Sequence, residues 1–412
     1  MGHLVGGISS AGRSLPDLDG EPFQAARSHG AHVWDRHGRR YVDTALGFGG
    51  TLLGHADPVV MQAVAAALAN GPLPAFAHPL EEAAAAALAR TTGNLSRIVF
   101  VNTGSEAVHL ACRIARRATG RTLIAKLAAG YDGWYDDLAF GNAGSVEAAM
   151  TANRRPQALR TVLLRYNDPD DADRLFAERD DVAAVVVEPV LANAGCILPA
   201  PGYLEHLQTV ARRHGALVIL DEVLMGYRLR PGLTGHALGL DPDLATVGKA
   251  IGSGIAVAAV AGKEGPMALV EDGRVTRAGT YAGNPLACAA VIATMARLAE
   301  VDHGALLRRG DRLRRAISEA FADAGVALST AGYGTVFSLW FAAAPPTNYA
   351  EAVGRARADL SLRLHLALRR HGALVMPAAF GRLYLSAAHD EAAMDELADA
   401  FARVAAAWGS GG

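Results

Sequence analysis

The chain has 412 residues, of which 51% are hydrophobic, so it can bury a large core and is not disordered as a whole. Its 39 Lys and Arg residues are balanced by 41 Asp and Glu residues, and this balance lacks the basic excess that is typical of nucleic-acid-binding proteins. A small-molecule partner is therefore expected.

The cysteines and the apolar runs indicate a cytoplasmic protein. Cys112, Cys196 and Cys288 are too far apart for a metal site or a disulfide framework, which indicates a reducing compartment. The first residues, MGHLVGGISS, lack the features of a secretory signal. The apolar runs 183–187 and 255–261 are too short to span a membrane and favour buried strands.

In chain order, residues 31–42 alternate in hydrophobicity around a turn at 35–38 and predict a hairpin. Short apolar strands then alternate with helices, which favours an α/β fold whose mostly parallel sheet is covered on both faces. Ligands of such sheets bind at the carboxyl ends of the strands. The strands are predicted at 97–101, 123–127, 161–164, 183–188, 217–221 and 244–247, and the main helices at 61–70, 80–91, 105–119 and 203–214.

The last part of the chain predicts a smaller α+β domain. We therefore expect an N-terminal segment with the hairpin (1–45), a large domain (46–305) and a small C-terminal domain (306–412). The helices are predicted at 285–300, 303–324, 351–371 and 391–408, and the strands at 334–341, 373–376 and 383–386.

The motif VNTGSEA, residues 101–107, is predicted to join a strand to a helix, and this junction predicts a phosphate site. Backbone N–H groups at a helix N-terminus attract anions, Gly104 allows close approach, and Ser105 adds a hydroxyl. The alternative is an ordinary N-cap with an acidic first turn.

Asp221 ends the apolar run ALVILD, where a carboxylate needs a cationic or hydrogen-bonding partner. Many α/β proteins place an aspartate there for a metal or a turn, so this motif alone leaves the role open. The sequence shows no metal-ligand spacing.

Only three lysines occur, Lys126, Lys249 and Lys263, and the other 36 basic residues are arginines, which cannot supply a neutral amine. Lys249 stands at a predicted strand end before a glycine-rich stretch, where desolvation would lower its pKa and make it a nucleophile. The alternative is a surface loop lysine. Lys126, inside a strand pattern, and Lys263, before a polar loop, are expected to be incidental.

A phosphate cradle, an aspartate and a strand-end lysine are the parts that bind pyridoxal phosphate. With these parts in place, the sequence resembles the class III (ω-type) aminotransferases of pyridoxal-phosphate fold type I, in the branch of glutamate-1-semialdehyde aminomutase and the β-amino acid aminotransferases. The resemblance runs from Val5 to about Ala405. It is carried, in the family's order, by the motifs VEPVLANAG (187–195), DEVLMGYR (221–228), VGKAIGSG (247–254) and AGTYAGNPLACAA (278–290).

The resemblance implies roles for the cofactor-binding residues. Lys249 would join pyridoxal phosphate covalently and move a proton, and Asp221 would pair with the ring nitrogen. Val223 and Tyr131 would pack on the two ring faces. Two further residues would hold the phosphate, Gly104 and Ser105.

The resemblance also implies a homodimer with shared active sites, because Thr280 matches a threonine that reaches the phosphate of the neighbouring subunit's cofactor. Glu188 matches an acidic residue near the site, and its alternative role is that of a structural carboxylate. Asn193 matches a residue that lines the site.

Substrate recognition is implied by the stretch GGISSAGRSL, which places Arg13 where this branch has an arginine for the substrate carboxylate. A planar guanidinium suits such a carboxylate. A solvated arginine near the terminus is the alternative, and Arg228 and Arg382 are further candidates for the carboxylate-binding role.

Two departures from the family pattern favour an aminotransferase over an aminomutase. Tyr131-Asp132-Gly133 stands where the family has Tyr-His-Gly, and Gly381 stands where the aminomutases have a glutamate. The expected reaction moves an amino group between a carboxylate-bearing amino acid, with its amine at a β or other non-standard position, and a keto acid. The alternatives are a glutamate-1-semialdehyde-type aminomutase, an epimerase, or an inactive cofactor-binding homologue, and the presence of Lys249, Asp221 and Thr280 opposes the last.

Overall fold

A computed structural model describes residues 3–150 and 155–408 of the chain, which form three β-sheets surrounded by helices. The strands are β1 (Ala25–His29), β2 (His32–Asp35), β3 (Arg40–Asp43), β4 (Arg97–Val101), β5 (Leu123–Leu127), β6 (Gln157–Ala158), β7 (Thr161–Leu164), β8 (Val182–Val187), β9 (Leu217–Asp221), β10 (Leu244–Val247), β11 (Ala258–Gly262), β12 (Ser329–Tyr333), β13 (Val336–Trp340), β14 (Ala373–Leu374) and β15 (Arg382–Tyr384).

The helices are α1 (Leu46–Gly49), α2 (Pro58–Ala69), α3 (Pro79–Ala89), α4 (Gly104–Thr119), α5 (Asp136–Ala139), α6 (Pro169–Glu178), α7 (Tyr203–Arg213), α8 (Thr234–Ala237), α9 (Glu264–Glu271), α10 (Pro285–Ala299), α11 (His303–Asp323), α12 (Tyr349–Arg355), α13 (Ala358–Arg370) and α14 (Glu391–Trp408). Short 3₁₀ helices lie at Val5–Gly7, Ala11–Arg13, Glu147–Ala149, Ala192–Ala194 and Lys249–Gly252.

The large sheet has the strand order β4-β11-β10-β9-β8-β5-β7-β6. Strands β10, β9, β8, β5 and β7 pair in parallel, which confirms the mostly parallel sheet. Strand β11 runs antiparallel to both of its neighbours, and β6 is an antiparallel edge strand. The run 255–261 was expected to be a buried strand, and β11 covers most of it, but its direction could not be predicted.

Both faces of this sheet are covered because side chains alternate across each strand. In β9, Ile219 packs into the cluster around α4, while Val218 and Leu220 pack into the main core with residues of α2, α3 and α10. All residues of β8 are buried. The α4 face that meets the sheet repeats at helical spacing, with Val108, Ala111, Cys112 and Ala115 buried.

The N-terminal hairpin is confirmed by the antiparallel pair β2 and β3, and β1 extends it by one strand. Strand β14 from the far end of the chain pairs in parallel with β3, so the hairpin shares a sheet with the C-terminal region. Strands β12, β13 and β15 form the third sheet. The division into three parts at residues 45 and 305 stays a prediction.

One predicted helix is wrong. The segment 351–371 forms α12 and α13, which are separated by extended backbone at Ala356. The break carries no glycine or proline, and the second helix begins with Arg357 donating two hydrogen bonds to Asp359. Within the described part of the chain, no helix is both long and apolar enough to cross a membrane.

Candidate active site

A cavity of about 480 Å³ opens where β9 and β10 end, beside the N-terminus of α4. This is the edge of the sheet at which a ligand was expected, because the carboxyl ends of the parallel strands meet there. Six residues assigned to the cofactor by sequence line this cavity: Gly104, Ser105, Tyr131, Asp221, Val223 and Lys249.

The N-terminus of α4 is held by a capping box. Thr103 Oγ1 accepts a hydrogen bond of 3.2 Å from the backbone N–H of Glu106, whose Oε2 in turn accepts bonds from the N–H groups of Asn102 (2.7 Å) and Thr103 (2.9 Å). The N-cap that was the alternative interpretation of this motif is therefore present, and the phosphate site stays a prediction. Gly104 and Ser105 line the cavity, and because they lie in the first turn of α4 their N–H groups have no carbonyl of their own helix to bind.

Asp221 is buried at the end of β9 and is held by two donors. Its Oδ1 accepts hydrogen bonds from the backbone N–H of Val223 (2.9 Å) and from Thr246 Oγ1 (3.1 Å). Burial raises the pKa of this carboxyl, and the neighbouring charge of Asp132 raises it further. A cationic group in the cavity would therefore gain a strong interaction with Asp221.

Lys249 lies two residues after the end of β10 and begins a 3₁₀ helix with φ of +45°, an uncommon backbone conformation for a residue other than glycine. Burial lowers the pKa of its ammonium group, Asp221 opposes this shift, and Arg228 contributes to it. At a given pH, a larger fraction of the Lys249 amine is therefore uncharged than that of a solvated lysine.

The walls of the cavity leave room for a flat ring. A Cβ at Gly104 would lie 2.8 Å from Val223 Cγ1, and one at Gly133, where φ is +107°, would lie 2.8 Å from Ser105 Oγ. Side chains at these two positions would fill the space in front of the helix N-terminus. Tyr131 lines the same cavity.

Glu188 lies behind Tyr131 and is not among the residues that line the cavity. Its Oε1 accepts a hydrogen bond of 2.5 Å from the backbone N–H of Tyr131. Burial, reinforced by the charges of Asp132 and Asp221, raises the pKa of Glu188 well above its ordinary value. The structure therefore gives Glu188 a contact to the backbone of the cavity wall.

Three other predicted residues do not line the cavity. Thr280 is exposed in the loop between α9 and α10. Asn193 lies half-buried in the 3₁₀ helix Ala192–Ala194, and Arg13 is exposed at the end of another, Ala11–Arg13. Its neighbour Gly12 packs against Phe48, because a Cβ on Gly12 would lie 3.2 Å from the Phe48 ring, and Phe48 follows the cavity-lining Gly47.

The two further arginine candidates flank one tyrosine. The Arg228 guanidinium lies 5.0 Å from the ring centroid of Tyr384, and Arg382 Nε donates a hydrogen bond of 2.9 Å to the Tyr384 hydroxyl. Arg228 is fully buried, and its Nη1 has no hydrogen-bond partner within the described residues. Burial lowers the pKa of Arg228 to about 10. An unpaired buried cation is costly, so an anion at this position would be stabilised.

Sequence reasoning missed Thr246, Lys126 and the wall formed by residues 254–257. Thr246 pairs in register with Asp221 on the adjacent strand, a relationship that requires the strand order. Lys126 was expected to be incidental, and that stays a prediction, but its side chain is fully buried and lies 2.9 Å from Asp132, a residue of the cavity wall. Trp134 also lines the cavity and is largely exposed.

A family model of aminotransferase class-III matches residues 17–400. The chain belongs to the class-III aminotransferases. It is 37% identical to a protein of Chloroflexus aggregans named glutamate-1-semialdehyde 2,1-aminomutase, over 97% of this chain and 95% of that protein.

Solved structures of this family share the fold. An omega-transaminase from Sphaerobacter thermophilus superposes with a TM-score of 0.86 at 29% identity, covering 95% of this chain and 92% of that one. A β-phenylalanine aminotransferase from Variovorax paradoxus gives a TM-score of 0.87 at 27% identity, covering 99% and 92%. The fold is therefore that of the fold-type-I pyridoxal-phosphate enzymes, as the sequence predicted.

Class-III aminotransferases use pyridoxal phosphate, and the residues around the cavity fit this cofactor. A helix N-terminus suits its phosphate, a buried carboxylate suits its ring nitrogen, and an amine of lowered pKa suits its aldehyde. The protein is a pyridoxal-phosphate-dependent transaminase of class III.

Proposed function

We propose that this transaminase moves an amino group between a keto acid and a carboxylate-bearing amino acid whose amine is at a β or other non-standard position. The observation that carries the proposal is the Arg228–Tyr384–Arg382 cluster, which holds two cations near the reactive lysine. Neither arginine forms an ion pair with a carboxylate of the described residues. A substrate carboxylate would supply the missing charge.

The segment Leu46–Gly50 connects these cations to the cavity. Its residues Gly47 and Gly50 line the cavity, and the backbone carbonyl of Gly49 accepts a hydrogen bond from Arg228. A Cβ at Gly49 would overlap Arg228 Nη2 and would lie 2.9 Å from Tyr384 Cε1, so only glycine fits there. Arg13 approaches the same segment from the N-terminal side, which supports a role in carboxylate binding.

Each residue of the site has a proposed task. Pyridoxal phosphate, when bound, supplies the electron sink for the bond that breaks at the carbon bearing the amine. The backbone N–H groups of Gly104 and Ser105 would hold its phosphate, and the Asp221 carboxylate would hold a proton at its ring nitrogen. The Lys249 amine would hold its aldehyde group and would serve as the base for the proton at the substrate carbon.

The ring itself is held by its neighbours. Val223 and Tyr131 pack on the two ring faces, and Glu188 fixes the Tyr131 backbone through its 2.5 Å hydrogen bond. Asn193, on the nearby 3₁₀ helix, is proposed to contact the substrate when the site is complete.

Gly381 favours transfer between two substrates over rearrangement within one. The aminomutases resembled here have a glutamate at this position, but a Cβ at Gly381 would lie 2.6 Å from the carbonyl oxygen of Met376 and 2.9 Å from that of Ala378. The local backbone therefore has no room for any side chain. The name of the Chloroflexus relative keeps the aminomutase as the second candidate.

Turnover with one and with two substrates distinguishes these functions. A transaminase given only a carboxylated amine stops after one equivalent of product, and a keto acid restarts it. An aminomutase continues without a keto acid. Borohydride treatment of the holoenzyme, followed by peptide mapping, should place the cofactor on Lys249, and labelling of Lys126 or Lys263 would contradict the proposed site.

We also propose that the active enzyme is a homodimer in which Thr280 contacts the cofactor phosphate of the partner subunit. The loop that carries Thr280 borders a second cavity, of about 700 Å³, which shares Asn102 with the cofactor cavity. Large apolar side chains are exposed in this region: Tyr281 (63%), Phe76 (83%) and Trp134 (69%). Such side chains favour burial against a second copy of the chain.

Mixing two weakened variants tests this arrangement. In a hybrid of Lys249→Ala and Thr280→Ala chains, one site combines the intact lysine of one chain with the intact threonine of the other. We expect the mixture, after subunit exchange, to be more active than either variant alone. Activity equal to the average of the two parents would place Thr280 in the site of its own chain, and a monomer in sedimentation would exclude the shared site.

A further inference from the structure

We propose that Lys126 is a positioning residue of the cofactor pocket, which fixes the loop 130–142 and supplies the counter-charge of Asp132. The inference rests on the proposed cofactor site, because this loop forms the wall opposite Val223. Neither the motifs nor the family roles assign a task to Lys126.

The side chain of Lys126 carries a charge but is fully buried, because it lies within β5, a strand whose residues are all buried. Its three protons have three acceptors: the carbonyl oxygens of Leu138 (2.7 Å) and Gly130 (3.2 Å), and Asn142 Oδ1 (2.7 Å). Each proton of the ammonium group thus has an acceptor, and these hydrogen bonds join both ends of the loop 130–142 to the sheet.

Asp132 is the fourth neighbour of this ammonium group. Its Oδ2 lies 2.9 Å from Lys126 Nζ, but it has no hydrogen-bond partner among the described residues, so the contact is an ion pair. Asp132 is buried, with 2% of its surface exposed, and it lines the cavity. Removing one member of a buried pair leaves the other charge uncompensated, at a cost of several kcal/mol.

The loop transmits this anchoring to the cofactor pocket. Asn142, which binds Lys126 through its carbonyl oxygen, donates from Nδ2 to the carbonyl of Gly133 over 3.0 Å. Gly133 packs against Ser105, and Tyr131 and Asp132 precede it. Lys126 is therefore linked, through the side chain of Asn142, to the segment 131–133. This segment carries Tyr131 and packs against Ser105.

The counter-charge has a second effect, on Asp221. The Asp132 charge is, after burial, the largest cause that raises the pKa of Asp221, and it acts on Glu188 in the same direction. Three buried carboxyl groups thus share this region with two lysines, Lys126 and Lys249. A change in the charge of the Lys126–Asp132 pair should therefore alter the proton that Asp221 holds at the cofactor ring.

The affinity of the cofactor-free protein for pyridoxal phosphate tests the proposal. Two variants are compared with wild type: Lys126→Met and the charge-neutral double variant Lys126→Met/Asp132→Asn. The matched control is Lys263→Met. Lys263 binds Asp241 and Asp243 near the surface, away from the cavity. We expect both Lys126 variants to bind pyridoxal phosphate at least about 10-fold more weakly than wild type, because a small misplacement of the binding groups is costly. The control should stay within about 2-fold.

The double variant separates a positioning role from a merely structural one. It removes both buried charges, so its melting temperature should recover relative to Lys126→Met. If Lys126 were merely structural, the cofactor affinity of the double variant would recover as well, whereas we expect that affinity to remain weak. The pH midpoint of the visible absorption of bound cofactor should also shift in the double variant and stay unchanged in the control. Wild-type affinity and an unshifted midpoint in a folded double variant would overturn the proposal.

A third variant covers the case in which both Lys126 variants fail to fold. Asn142→Ala removes the bridge between Lys126 and Gly133 without unpairing a buried charge, so we expect weaker cofactor binding in a folded protein. Wild-type affinity there would also overturn the proposal. Failure of wild-type protein to carry the cofactor on Lys249 would instead contradict the proposed function.

Discussion

Thr246 and Asp221 face each other across the parallel strands β10 and β9, and the Thr246 hydroxyl donates a hydrogen bond of 3.1 Å to Asp221 Oδ1. This bond stabilises the ionised carboxylate that is proposed to face the cofactor ring. Thr246→Val keeps the shape of the side chain but removes the donor. We expect cofactor affinity to fall by about 10-fold, from the loss of about 1.5 kcal/mol typical of a bond to a charged group.

Fluorescence titration of the cofactor-free Thr246→Val protein with pyridoxal phosphate measures this loss. Thr234→Val is a suitable control, because Thr234 is also buried but donates to the carbonyl of Met225. Equal losses in the two variants would show that Thr246 acts on general stability and not through Asp221.

Gly104→Ala should weaken cofactor binding although alanine is normally favourable in a helix. The added methyl group would lie 2.8 Å from Val223 Cγ1 and would push that side chain toward the ring position. Gly265→Ala, in the first turn of α9, is the matched control because a Cβ there meets no atom within 4 Å. Cofactor Kd is the measurement, and an unchanged Kd in Gly104→Ala would contradict the proposed ring position.

Thr103→Ala should destabilise the cofactor-free protein by about 1 kcal/mol, because it removes the acceptor for the Glu106 N–H in the capping box. Urea unfolding monitored by circular dichroism measures this change. Thr119→Ala, at the other end of α4, removes a hydroxyl that donates to the carbonyl of Ala115 and accepts a longer bond, of 3.3 Å, from the Arg121 N–H, and it should have a smaller effect. A larger loss in Thr119→Ala would be inconsistent with a stabilising cap.

The amine of Lys249 should capture pyridoxal phosphate at lower pH than a solvated lysine, because burial lowers its pKa. The capture rate of the cofactor-free protein should rise with pH and reach its plateau below the ordinary lysine value of about 10.4. Rapid-mixing absorbance measures this rate. A plateau only above that value would show that Lys249 is solvated in the cofactor-free state.

The same shift affects stability. Between the lowered pKa of Lys249 and the ordinary lysine value, the unfolded chain binds more protons than the folded chain. The Lys249 contribution therefore increases stability as pH rises through this window and is lost as pH falls through the folded pKa. Lys249→Met should lack this increase in urea unfolding of the cofactor-free protein.

Arg382→Gln should raise the KM for a carboxylated amine by about 10-fold or more, since a hydrogen bond to a charged group contributes about 1.5 to 3 kcal/mol. An amine of similar size without a carboxylate provides the control, because its KM should change little. Equal changes for both amines would indicate that Arg382 supports Tyr384 and does not bind substrate.

The large sheet was predictable because β5, β7, β9 and β10 are short runs of Val, Leu and Ile that are buried on both faces, and their predicted bounds agree with the structure. The break at Ala356 had one local signal, Gly354 two residues earlier, but a single glycine inside a helical pattern does not show whether the helix ends there. Local sequence shows hydrophobic period and caps, whereas a break of this kind depends on what the two halves pack against.

The candidate site likewise has residues that could be predicted from the sequence and residues that could not. Asp221 and Lys249 were found because each follows a strand, and the strand ends determine which cavity they share. Lys126 also carried a signal, since it is one of three lysines and lies in an apolar strand, but its partner Asp132 lies across a loop whose fold the sequence does not show. Arg13 and Thr280 were matched by motif, and their tasks depend on groups beyond the described contacts.

The antiparallel strand β11 has a consequence for where the shape of the cavity can change. Because β11 runs back beside β10, the connection 248–257 that carries Lys249 starts and ends on two hydrogen-bonded neighbours. An insertion in this connection would displace the reactive amine. The loop 130–142 and the segment 46–50 contribute other parts of the cavity wall without carrying the amine, so changes there can reshape the cavity while Lys249 stays in place.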